Sequence, residues 1–100
     1  MGLDITTQIN GQFDETFNGR SVFGTLRDYM VKKYNYQYGE DMPLNKSIIK
    51  DMVNFLINEC FKDNDEYEVS WKMTLVNALM RYHALILGDP KTIITWECDW

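Results

Sequence analysis

Residues 69–87 read VSWKMTLVNALMRYHALIL, and this segment restricts the fold more strongly than any other in the chain. At 100° per residue its apolar side chains cover roughly 260° of a helical wheel, against the roughly 100° stripe of an ordinary surface helix. Such a helix belongs at the centre of a domain or beneath a partner. Its polar residues fall mainly on one narrow line, Ser70, Thr74, Asn77 and Arg81. That line either meets solvent or forms a hydrogen-bonding seam toward another protein, with Arg81 able to grip a carboxylate in a two-pronged contact.

Two further helices are expected. Residues 22–34 place Val22, Phe23, Leu26, Tyr29 and Met30 on one stripe behind a Ser21 cap. Residues 46–61 follow an Asn45 cap and bury Ile49, Met52, Val53, Leu56 and Cys60. The acidic link KDNDEYE leads into the third helix, where Asp65 and Glu68 have capping-box spacing and a charge suited to the positive helix end. Gly88 and Asp89-Pro90 stop that helix.

Strands are expected at both ends of the chain. LDITTQINGQFDETF alternates apolar and polar residues around an Asn10-Gly11 turn signal. A two-residue loop opposes Ile9 to Gln12 and throws Phe13 and Phe17 off the apolar face. One extra loop residue pairs Ile9 with Phe13, Thr7 with Glu15 and Ile5 with Phe17, so a bulge beside Gly11 is the expected register. In the terminal TIITWECDW, Ile94, Trp96, Cys98 and Trp100 share one face. A hairpin alone is too small a sheet to persist. The reading is a single α+β domain over residues 1–100: an N-terminal hairpin and a C-terminal strand in a small antiparallel sheet, three helices on one face. The last strand is expected at an edge, where it can recruit another chain.

The chemistry-bearing residues are few. His83 is the only histidine, serine occurs only at positions 21, 47 and 70, and a Ser–His–Asp arrangement is not credible. Cys60, His83 and Cys98 lack the paired spacing of a zinc site. DNDEYEVSWKMT starts like a calcium loop but has Glu68 where glycine is required and Thr74 where the final glutamate belongs. The six glycines are dispersed, with no phosphate-cradling motif. No cofactor, metal or catalytic residue is therefore expected, and an enzyme would have to work through His83.

A formal charge of -5, with lysines and arginines scattered, argues against direct nucleic-acid binding. No apolar run approaches the roughly 20 residues of a membrane span, and no signal peptide is evident. The two separated cysteines suit a reducing cytoplasm. What remains is binding. The expected partner-facing residues are Asp63, Asp65, Glu66 and Glu68 in the acidic link, Asn77 and Arg81 on the third helix, and Trp96, Glu97, Asp99 and Trp100 in the last strand.

The opening MGLDI, the small size and the Asn, Lys, Ile and Tyr usage resemble short accessory proteins encoded by bacteriophages. That resemblance implies a non-enzymatic protein that binds and blocks a host protein in the host cytoplasm, such as a defence nuclease or the transcription machinery. Two other readings are a homo-oligomeric accessory protein joined through the third helix, and an acidic mimic of nucleic acid, for which a charge of -5 is modest.

Overall fold

The computed structural model describes residues 4–18, 23–37, 39–63 and 65–99. Strands β1 (Asp4–Ile9) and β2 (Gln12–Asn18) are followed by helix α1 (Gly24–Tyr34) and the two-residue strand β3 (Met42–Pro43). Helices α2 (Lys46–Lys62) and α3 (Glu66–Gly88) then lead to β4 (Ile94–Asp99). The four strands form one antiparallel sheet in the order β2-β1-β4-β3, which makes this an α+β fold.

The hairpin register differs from expectation at its tip. Asn10 and Gly11 both take positive φ, 53° and 81°, the geometry of a tight two-residue turn, and Ile9 pairs with Gln12. The extra residue enters later: Gln8 pairs with Phe13 and Thr7 with Glu15, leaving Asp14 bulged from β2. Ile5 still faces Phe17, and both are buried. Phe13, expected on the inner face, is exposed instead. Asn-Gly satisfies its own turn preference, and the bulge forms where a carboxylate can reach α3. Asp14 Oδ2 accepts from the Tyr82 hydroxyl at 2.5 Å and from Arg81 at 2.6 Å, and Tyr82 Oη lies 2.6 Å from Thr7 Oγ1.

Strand β4 is central, not an edge. It pairs with β1 on one side and with β3 on the other, where Leu44 N–H donates to the Ile94 carbonyl at 2.8 Å and Gly39 N–H to the Cys98 carbonyl at 3.3 Å. Two residues ending in proline leave no apolar periodicity to detect. Pro43 lacks an N–H, so this border cannot be extended as a regular ladder. Ile94, Trp96 and Cys98 are buried on the helix side as expected, and Trp96 meets Tyr36 edge-to-face at 5.3 Å. The Tyr36 hydroxyl accepts from the Cys98 backbone N–H.

The helices start as their capping residues dictate. Asn45 Oδ1 accepts from Ile48 N–H at 2.8 Å, and Asp65 Oδ1 accepts from Tyr67 N–H at 2.9 Å. Helix α1 begins at Gly24 behind buried Phe23 with no side-chain cap; the expected Ser21 cap and Val22 lie outside the described residues. One carboxylate fastens α1 to α2: Asp51 accepts from Tyr29 (2.8 Å), Lys33 (2.7 Å) and Tyr34 (2.5 Å). Burial would push Asp51 up, but those three donors outweigh it and hold the carboxyl below its ordinary value.

Helix α3 is not wrapped on all sides. Leu75, Val76, Ala78, Leu79, Tyr82 and Ile86 are buried, and the aliphatic stem of Lys72 lies with them while its ammonium donates to Asp63 at 2.7 Å. These residues span roughly 160° of the wheel. The rest of the apolar surface faces outward.

Candidate functional site

The expected partner-facing residues separate into distinct environments. Trp96 is 1% exposed and is a core residue, so it offers nothing to a partner of the folded chain. Arg81 is committed within the molecule, gripping Asp14 and Glu15 of β2. Asp63 pairs with Lys72 and Asp65 caps α3, while Glu66 is exposed and Glu68 half-buried. Asn77 is exposed in line with Ser70 and Thr74, so the polar line meets solvent apart from the reach of Arg81 to β2. Glu97 is half-buried on the outer sheet face; Asp99 pairs with Asp4 in the backbone register, and Trp100 lies outside the described residues.

A different surface stands out. Along α3, positions 69, 73, 76, 80, 83 and 87 alternate spacings of four and three. Val76 is buried and Val69 and His83 are half-buried, whereas Met73, Met80 and Leu87 are 37%, 59% and 60% exposed. Helix α2 runs alongside. Its residues Val53, Ile57 and Phe61, four apart, continue the apolar band, and Phe61 is 85% exposed. Between the two helices lies an open groove of ≈ 290 Å³ lined by Ile49, Lys50, Val53, Asn54, Met80 and His83.

His83 has its Nε2 buried in that groove without a hydrogen-bond partner, and no described carboxylate hydrogen-bonds to the ring. Among the described residues no group of three His, Cys, Asp or Glu side chains is placed to hold a metal ion. No helix of the described residues is long and apolar enough to cross a membrane. Among the described residues, the polar clusters Thr7–Tyr82–Asp14–Arg81 and Tyr29–Tyr34–Lys33–Asp51 have their carboxylates bound by protein donors and act as fasteners.

Charge is polarised along the α2–α3 pair. Exposed Lys46 and Lys50 on α2 and Lys91 beyond α3 sit at one end. Glu59, Asp65, Glu66 and Glu68 gather at the other, where α2 turns into α3; exposed Lys62 at that end and exposed Asp89 at the lysine end reduce the contrast without reversing it. The band and its spacing are legible in the sequence through the heptad positions. The polar line on the same helix draws attention away from them, and only packing decides which arc of so apolar a helix stays bare. Compared with protein-family models, curated proteins and solved structures, the chain matches none.

Proposed function

We propose that this protein is a binding module that works by docking the α2–α3 face onto another polypeptide, without catalysing a reaction. One observation carries the reading: Met73, Met80, Leu87 and Phe61 stand exposed beside half-buried Val53 and Ile57, on helices whose opposite sides pack into the core. Scattered single hydrophobics are normal on a surface, but a continuous band is where proteins meet. Methionine suits such a surface because its unbranched, polarisable side chain adapts to the facing shape.

A phage-type inhibitor that blocks a host protein is one form of this function, supported by the resemblance of the MGLDI opening alone. The docking residues assigned here differ from those expected from the sequence, since the acidic link contributes its end of the face and Trp96 of the last strand is buried in the core.

A photo-crosslinking amino acid placed at Met80, in cells that naturally make the protein, tests the reading. Protein adducts are expected from Met80 and from Leu87, and none from Thr16 on the opposite side of the molecule. Absence of any adduct at Met73, Met80 and Leu87 refutes docking through this face.

A further inference from the structure

We infer that the polypeptide docked on the α2–α3 face is a second copy of this chain, packed antiparallel about a two-fold axis; the inference rests on the docking function proposed above. A two-fold interface must be self-complementary, since the same patch supplies both sides. Here the patch carries both halves of the fit. Met73, Met80 and Leu87 recur every seven residues, about 10 Å apart along α3. They form a ridge between the ≈ 290 Å³ groove on one flank and the small residues Ser70, Asn77 and Ala84, also seven apart, on the other. A ridge beside a groove on the same face lets two copies interlock, as packed helices do.

Charge fixes the direction. Because α2 runs back along α3, Ile49–Asn54 lie level with Met80 and His83. With the axis near the level of residue 78, Met73 of each copy comes level with the groove at His83 of the other. Lys91 then comes level with Asp65 and Glu66 of the second copy. A parallel arrangement would instead set acid against acid and lysine against lysine, which is unfavourable. The size also suffices. Two helices roughly 25 Å long and together about 20 Å across offer about 500 Å² per copy, so the pair buries on the order of 1,000 Å², the lower bound for a specific interface.

Sedimentation of the full chain over a concentration series from about 1 to 500 µM tests this directly, since interfaces at the small end of the size range include weak and transient ones. The mass is expected to climb from 11.8 kDa toward twice that value. Met80→Glu and, independently, Leu87→Glu keep the single mass throughout; both positions are exposed, so an unchanged circular dichroism spectrum is expected. Lys91→Glu and Glu66→Lys each weaken association about tenfold, since every substitution acts twice across the axis. The double variant Lys91→Glu/Glu66→Lys restores it. A single mass for the unaltered protein at every concentration overturns the second-copy assignment, and crosslinks from Met80 to a chain of different mass would then leave the docking function standing. Association that survives Met80→Glu, or a double variant no tighter than its parents, overturns the two-fold antiparallel geometry.

Discussion

Replacing Tyr82 by phenylalanine isolates the fastener that sets the bulge in β2. The Tyr82 ring is fully buried, and Phe keeps its packing, so the change removes one oxygen and little else. Asp14 as a carboxylate only accepts, so the Tyr82 proton goes to Asp14, and Thr7 must donate its own to Tyr82. The variant therefore loses a hydrogen bond to a charged group, worth about 1.5–3 kcal/mol, and leaves the Thr7 hydroxyl with only the Glu15 carbonyl at 3.3 Å. A loss of about 2–3 kcal/mol corresponds to roughly 10–20 °C in Tm for a domain of this size. Urea and thermal unfolding followed by circular dichroism measure it. The pH dependence supplies a second readout. Burial alone would raise Asp14, but the hydrogen bonds from Arg81 and Tyr82 outweigh it, and its folded value lies below the ordinary 3.8. Its contribution is therefore complete above that unfolded value and fades as pH falls through the folded one. The gap between the parent protein and Tyr82→Phe should accordingly be largest near pH 6 and narrow toward pH 2. A cost under about 0.5 kcal/mol, or a gap independent of pH, would show that Asp14 does not depend on Tyr82 and that the bulge has another cause.

Other substitutions probe separate features. Asp51→Ala strands three donors between α1 and α2 and should cost about 2–4 kcal/mol by urea unfolding, whereas Asp51→Asn, which keeps an acceptor, should cost less. Asp63→Ala leaves the buried Lys72 ammonium without its partner and should cost about 3 kcal/mol, while Asp63→Leu combined with Lys72→Met should recover most of that loss; if the double variant is the worse, the pair is a net stabiliser. Gly11→Ala forces a Cβ into positive φ with open space around it, so a loss of about 1 kcal/mol from backbone conformation alone is expected in thermal melts. Burial pushes the Cys60 thiol up, so thiol labelling at pH 8 should be slower there than for a free cysteine, and buried Cys98 should label only on unfolding.

Local chemistry was legible where it acts locally. Asn45 and Asp65 cap the helices they precede, and alternation alone turns Ile94, Trp96 and Cys98 inward. Ile5 against Phe17 follows from the need to keep apolar residues on one face. The failures share a cause, which is partnership across long stretches of chain. The bulge sits at Asp14 because Tyr82 and Arg81, far along the sequence, provide its donors. Strand β4 is interior because Met42–Pro43, too short to have a period, lies beside it. Trp96 is lost as a contact residue because it faces the core and packs against Tyr36, and Arg81 has its carboxylates inside the molecule. Helix α3, read as too apolar to lie on a rim, is covered by its own chain on one side only, and a wheel cannot say which arc its neighbours leave uncovered.

The pairing of β1 with β4 also governs how the molecule is made. Asp4 is matched with Asp99 and Ile9 with Ile94, so the middle of the sheet joins segments 85 to 95 residues apart in sequence. A ribosome releases the first hairpin long before its neighbour exists, and two strands by themselves are marginal in water. Closing so large a loop is an entropic toll that comes due before any of those contacts form. Helices α2 and α3, adjacent in sequence, can associate while synthesis continues. The nascent chain should therefore hold a helical pair first and acquire its sheet only after residue 99 clears the exit tunnel, in a single late step that limits the folding rate.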